Sequence, residues 1–417
     1  MRQADVPETV LSESAQGRED VFGPETRTLF VALALLTMVV PLAINLYLPA
    51  LPEIARAFGV GVPRIQLSVG VFLLGLGLGQ FAGAPIADRY GRRSTAMTGM
   101  AIFAIGTFGI LFSGSFEPFI VLRTVQGVGA GVAFVNIGAV VGDLFERQHG
   151  ARMLGAISAV QAVPRLIGPV SGAALALAFG WQSTFLLLLV CCLVAGCALW
   201  LWLPETVPQS GAAPERSLLR QATRGYGTAL GHTRALGYVF CLSFSTACLL
   251  VYVNDGAFIY TVWFGLSPTQ FSGFLAANVV ALVLGTVVNF RLLRKHDAHL
   301  ITRRACVLQF LATGTLLAHV TLMTPSLPIV VALLMASSGV LGMITANAAA
   351  CYLEYFPGIR ATASGVAGSL QFLLGGAAGT ALSIFHTGTL ATAAVASTVC
   401  AFLAFITLAR ARPAPVP

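Results

Sequence analysis

Long apolar runs separated by short polar turns set the organisation of this chain. From about residue 28 onward, runs of about 18 or more mostly apolar residues recur, each long enough to cross a hydrocarbon layer as a helix. Twelve spans fit: 28–50, 65–86, 95–114, 117–141, 153–178, 182–203, 236–260, 270–290, 303–323, 328–351, 363–384 and 388–409. The pattern predicts an all-α membrane protein with twelve transmembrane helices, because a helix satisfies its own backbone polar groups in lipid. Residues 204–235, with Pro, Gly and four arginines, form the longest internal polar stretch and divide 28–203 from 236–409. Residues 1–27, with six acids and no cleavable signal pattern, and residues 410–417 read as tails.

The two parts echo each other. At an offset of 210 residues Gly155 matches Gly365 and Gln161 matches Gln371, within ARMLGAISAVQ and IRATASGVAGSLQ. The first part has a charged elbow, GAPIADRYGRR, from Gly83 to Arg93; the second has a basic one from Arg291 to Arg304. Duplication of this kind predicts two pseudo-symmetric six-helix halves with a site between them near the midplane.

Charge adds the orientation. The chain is 57% hydrophobic and only 10% charged, against about 25% in soluble domains. Its net charge of +8 would suggest a nucleic-acid partner in a soluble protein. Here all 24 basic residues except Arg56, Arg64, Arg123 and Arg165 fall in tails or in loops on the elbow side. Such asymmetry marks the cytoplasmic face, so both termini are expected in the cytoplasm and no nucleic acid is needed as a partner. The eight cysteines lie in apolar segments without a C-x-x-C pair and read as small buried hydrophobes. No cluster of His, Cys and acids suggests a metal, a cofactor or an enzyme, and a channel would need neither duplicated halves nor elbows. The expected partners are lipid, protons and a small-molecule substrate.

The elbow's spacing, G-x-x-x-x-D-R-x-G-R-R, resembles the loop between the second and third helices of major facilitator superfamily transporters. The resemblance implies a gating role for Gly83, Asp88, Arg89, Gly91, Arg92 and Arg93, with Asp88 docked on a neighbouring helix end. FIVLRTVQGVGAG (119–131) resembles the superfamily's fourth-helix motif around a buried arginine, and PRLIGPVSG (164–172) its antiporter-associated fifth-helix motif. LYLPALPEIARAF (46–58), FGLSPTQFSGFLAANVV (264–280) and RATASGVAGSLQFLLGG (360–376) resemble the Bcr/CflA-type multidrug exporters. That resemblance implies a monomeric antiporter of the bacterial inner membrane, exporting small amphipathic compounds by alternating access and conferring antibiotic resistance. The same fold also serves export of an endogenous metabolite or siderophore, and proton-coupled nutrient import.

Ionisable groups inside the spans cost roughly 2.5–3.5 kcal/mol each at a helix centre, so each asks for a reason. Four stand out: Arg123, Arg165, Asp255 and His319. Relatives carry an acid just before the YLP of the first helix; this chain has Asn45 there, and the repeat offset carries position 45 to Asp255. The expectation is that Asp255 took over the titrating role and faces Arg123 across the cavity, as a proton switch or as a static ion pair. Arg165 meets an anionic cargo, pairs with an acid, or bonds carbonyls at the Pro164 kink. His319, near a span end, reads as a hydrogen-bonded or interfacial histidine. Asn45, Tyr47, Asn136, Tyr252, Phe258 and Asn347 are the other candidates for the cavity wall. Asp143 and Glu354, at span ends, are candidate latches.

Overall fold

Twelve helices long and apolar enough to cross a membrane account for nearly all of the described chain. The computed structural model describes residues 24–145, 147–206, 226–356 and 360–411, so the expected tails and most of the 204–235 loop lie outside the described residues. Spans 1 to 6 run over Thr26–Ala57, Val62–Tyr90, Arg92–Leu111, Phe116–Leu144, Met153–Phe179 and Gln182–Trp202. Spans 7 to 12 run over Thr233–Trp263, Pro268–Leu292, Ala298–Leu322, Leu327–Glu354, Thr362–Ile384 and Leu390–Arg410. Short turns make successive spans antiparallel. The bundle therefore has an elbow end, carrying Gly91, and a far end, carrying the turns at 58–61, 112–115, 264–267 and 385–389.

The elbow is shorter than its charges suggested. Span 2 stays helical through Asp88, Arg89 and Tyr90, and the reversal is made at Gly91 alone. Its φ of 97° suits glycine, and a Cβ there would also collide with the Glu205 carboxylate. Gly83, expected in the turn, lies inside the helix with its Cα side against Val132 of span 4, 3.0 Å from where a Cβ would sit.

Spans 1 and 7 change hydrogen-bonding pattern at matching places. The α-helix of span 1 ends at Asn45 and resumes through a 3₁₀ turn at Leu48–Ala50; that of span 7 ends at Ala257 and continues as a π-helix over Phe258–Trp263. Positions 48 and 258 differ by the repeat offset. The repeat also shows in side chains. Gln161 of span 5 donates to Thr37 of span 1 (2.6 Å), and Gln371 of span 11 donates to Thr246 of span 7 (3.1 Å).

The halves meet along two seams. Spans 2 and 11 touch at backbone distance, since a Cβ on Gly70 would lie 2.5 Å from Thr380 Oγ1 and one on Gly376 2.6 Å from the Leu74 amide. Small residues permit this approach in lipid, where packing rather than the hydrophobic effect holds helices together. On the other seam Ser272 of span 8 donates to the Pro169 carbonyl of span 5 (2.9 Å). One apolar core joins the first half to far-end residues of the second, among them Ile259, Tyr260, Phe271 and Leu390. The elbow-end core of the second half, from Ala235 and Tyr238 to Tyr352 and Leu408, is a separate cluster. The bundle is thus sealed between its halves at the far end.

Of the cysteines, Cys192, Cys241, Cys248, Cys306, Cys351 and Cys400 are buried as expected, whereas Cys191 is half-buried and Cys197 exposed on the outside of span 6. His319 is hydrogen-bonded, accepting from the Ser326 backbone N–H (3.2 Å) at the start of span 10.

Candidate functional site

Arg123 is fully buried in span 4, boxed by the rings of Tyr47 and Phe72 at 4.4 and 4.5 Å from its guanidinium carbon. It donates to Gln126 and to the Ala43 carbonyl (3.2 Å). Ala43 is free to accept because the α-helix of span 1 stops at Asn45, leaving its last carbonyls without helical partners. Gln126 is fixed in turn by donating to Thr107 (2.7 Å), and the Tyr47 hydroxyl bonds Ser68 (3.0 Å). Desolvated cation–π contacts are worth about 2 kcal/mol, so the two rings and two acceptors together can hold a charge that has no carboxylate beside it.

Asp255 lies elsewhere, and the expected pairing with Arg123 is not made. Asp255 is the one buried carboxylate among the described residues. Its Oδ1 stands 3.1 Å from Nε2 of His386, in the turn between spans 11 and 12. The Gly388 backbone N–H donates to Nδ1 of the same ring (3.0 Å). Nδ1 must then hold the lone pair, which puts the ring proton on Nε2, pointing at Asp255. Phe258 packs edge-on against the imidazole, with centroids 4.4 Å apart. Oδ2 of Asp255 makes no close hydrogen bond among the described residues; its polar neighbour is the buried Gln66 side chain at the start of span 2. The physical reason for the correction is position. Asp255 faces span 11 and the far-end turn, while Arg123 faces spans 1 to 3.

Most residues expected on the cavity wall are buried in contacts of their own. Tyr47 serves Arg123. Asn136 sits at the break in span 4 and donates to the Val132 and Ala133 carbonyls (2.8 and 3.3 Å). Asn347 pairs amide to amide with Asn289 of span 8 (2.8 and 3.1 Å). The Tyr252 hydroxyl accepts from Asn278 (2.8 Å) and helps line a small apolar cavity inside the second half, with Leu316, Leu334 and Leu390. Phe258 belongs to the Asp255 pair. Asn45 remains half-buried, its amide donating to the Pro41 carbonyl (2.8 Å). Arg165 also remains half-buried; its guanidinium meets the Gln161 side chain (3.4 Å), not a kink carbonyl.

Against this geometry the comparisons with known proteins are decisive. The sequence model of the Major Facilitator Superfamily matches residues 33–380. The chain belongs to this superfamily. Its relatives include a bicyclomycin resistance protein homolog of Haemophilus influenzae, 28% identical over 83% of this chain and 86% of the relative. Multidrug resistance protein D of Escherichia coli is 28% identical over 61% of this chain and 70% of its own length. Among solved structures, a D-xylose–proton symporter matches 91% of this chain and 97% of its own, with a TM-score of 0.70 at 16% identity, a likeness of fold. As a superfamily member the chain is a multi-pass bacterial membrane transporter of a small molecule and not an enzyme.

The superfamily's elbow motif takes a specific form here. Arg92 pairs with Asp88 one turn before it, bonds Asp143 at the end of span 4 (3.2 Å), and its backbone N–H donates to Glu205 after span 6 (2.7 Å). Thr206 also donates to Asp143 (2.8 Å), and Arg93 to the Trp200 carbonyl (2.5 Å). Arg89 lies over the Tyr90 ring. These bonds tie spans 2, 3, 4 and 6 of the first half together, and the helix end that Asp88 meets is the start of span 3, at Arg92. Tyr226, in the stretch between the halves, stacks on Phe81 of span 2 (centroids 5.1 Å). Burial pushes its phenol up to about 12, with the Asp88 carboxylate adding to the rise. His386 escaped the sequence reading. The signal that pointed towards it was the intramembrane Asp255 itself, which needs a partner near its own end of the bundle.

Proposed function

We propose that this transporter exports small amphipathic compounds, drugs among them, in exchange for protons moving inward. The observation that carries the reading is Asp255, a desolvated carboxylate hydrogen-bonded to an imidazole at the seam between the halves. A buried acid with one oxygen lacking a close hydrogen bond gains on taking a proton and loses on giving it up, which is what a coupling site requires. The resistance proteins among the relatives support drug-like cargo. The PRLIGPVSG stretch favours export, and its Gly168 and Gly172 press against Asn45 and Leu46, where span 1 breaks.

The distribution of basic residues supports a cytoplasmic elbow end with both termini inside. The bundle sealed at its far end is then the cytoplasm-facing conformation, ready to take cargo. Arg165, half-exposed and without an acid partner in the described contacts, is the cargo-facing cation, and Arg123 holds the first half's break in span 1 in shape. The test is transport in inverted vesicles, with a panel of dyes and drugs and with or without a pH gradient. Uptake of several amphiphiles that collapses with the gradient is expected. Uptake indifferent to the gradient would overturn the reading.

A further inference from the structure

We infer that His386 is the residue through which Asp255 receives its proton, and that the 385–389 turn is the gate this transfer moves. The inference rests on Asp255 as the coupling carboxylate. Its own ground is the arrangement around the ring. The imidazole is 1% exposed, yet the turn that carries it, from Phe385 to Thr389, is mostly exposed at the far end. A proton arriving from that side meets His386 before Asp255.

The ring is held at both nitrogens. Nε2–H donates to Asp255, and Nδ1 accepts from Gly388, a residue at φ 74° that fixes the turn. Nδ1 can therefore be protonated only when the Gly388 N–H lets go, so charging the ring and opening the turn are one event. The imidazolium then passes its Nε2 proton to Oδ1 of Asp255. The products are a neutral carboxylic acid and a neutral imidazole carrying its proton on Nδ1. Nε2 now accepts from the acid, and Nδ1–H points at the former Gly388 donor, where two donors oppose each other. The turn cannot re-form until the proton leaves Asp255 and the ring returns to its first tautomer. Loading and release are thus tied to the state of the gate.

The surroundings leave few other titrating groups to confuse the result. Span 7 contributes Asp255 and the uncharged Phe258, and its Tyr252 and Tyr260 hydroxyls bond each other (3.4 Å), Tyr252 also meeting Asn278. Span 2 contributes Gln66. Arg64, on the short helix leading into span 2, is drawn to Glu117 (3.6 Å). Span 12 begins with Thr389 and Thr392, which bond Thr387.

The experiment is the initial rate of dye efflux against pH in proteoliposomes for wild type, His386→Gln and Asp255→Asn, with dye affinity measured on each. Glutamine keeps a donor for Asp255 but does not titrate. It should bind dye as wild type does while losing the dependence of rate on pH that wild type shows. An unaltered pH profile in His386→Gln, beside an inactive Asp255→Asn, would overturn the inference alone. Full coupled transport by Asp255→Asn would overturn the reading beneath it. Should the glutamine variant not fold, nitrogen NMR of ring-labelled wild-type protein at high pH decides. Every histidine signal in the Nδ1–H form would overturn the inference, and one signal that switches from Nε2–H to Nδ1–H as pH falls would support it.

Discussion

Asn45 and Asp255 are related by the repeat offset of 210 residues: each stands three residues before the irregular turn of its span, the 3₁₀ turn that starts at Leu48 and the π-helix that starts at Phe258. The equivalence makes a swap meaningful. Asp255→Asn should lower proton-driven efflux at least tenfold while cargo still binds, because a permanently neutral amide mimics the protonated acid. Adding Asn45→Asp puts a carboxylate on the symmetric helix, half-buried and a turn from the Arg123 box. That double variant should recover part of the lost rate, measured as gradient-driven efflux at matched abundance. No recovery would mean that the site needs His386 and not merely an acid at a helix break.

The Arg123 box can serve to hold span 1 in shape or to take part in proton coupling, and its substitution separates the two. Arg123→Lys keeps the charge but loses the planar fork that reaches Gln126 and Ala43 at once. Losing one charge-assisted bond inside the box should cost about 1.5–3 kcal/mol. Tyr47→Phe removes only the hydroxyl bonded to Ser68 and should cost about 1 kcal/mol, since the ring stays over the guanidinium. Thermal unfolding in detergent ranks the two. A lysine variant as stable as wild type, with a shifted pH profile of transport, would assign Arg123 to coupling instead.

The hydrophobic pattern made twelve helices and the duplication legible because lipid forces long apolar runs into self-satisfied helices, and Gln161 and Gln371 did keep matching partners. What it could not reveal follows from physics too. The charges of Asp88 and Arg89 look like a loop, yet a helix end accommodates them once Asp143 and Glu205 receive Arg92. Tyr47, Asn136 and Asn347 have the chemistry of cavity residues, but only packing decides that each turns inward to a partner. His386 lies 131 residues from Asp255 in sequence, and no periodicity joins a turn to a helix so far away.

Arg165 offers a separation of binding from folding. Its described contact is the Gln161 side chain at 3.4 Å, so Arg165→Lys should leave the melting temperature within a few degrees of wild type. Affinity for cargo that carries an acceptor should fall about tenfold, because lysine cannot present two parallel donors. Ligand-induced thermal shifts on both proteins give the comparison. Unchanged shifts for every ligand that protects wild type would remove Arg165 from the binding site.

At the elbow, Arg92 is the shared partner of Asp88, Asp143 and Glu205. Each exposed pair is worth only about 0–1 kcal/mol, so Arg92→Ala should still insert with all its spans. The backbone bond to Glu205 survives this change, but losing the two side-chain ties to Asp88 and Asp143 at once should loosen span 3 against spans 2 and 4 and slow transport several-fold, whereas Asp88→Asn removes one tie and should do less. Rates at equal membrane abundance test the order. If Asp88→Asn proves the more damaging, Asp88 has a partner in another conformation that this one does not contain.

The seam between spans 2 and 11 gives the sharpest conformational test. A side chain at Gly376 would begin 2.6 Å from the Leu74 amide and 3.0 Å from the Gly70 carbonyl, both backbone atoms that cannot step aside. Gly376→Leu therefore cannot make the far-end closure described here without separating the two helices. The opposite conformation, opened at the far end, contains no such contact, so the variant should shift the population towards it. Spin labels placed at the far-end turns 112–115 and 385–389 should report a longer distance than in wild type, and transport should fall because the cytoplasm-facing state is rarely reached. A Gly376→Leu protein with wild-type distances and wild-type efflux would show that the seam is not what closes the far end.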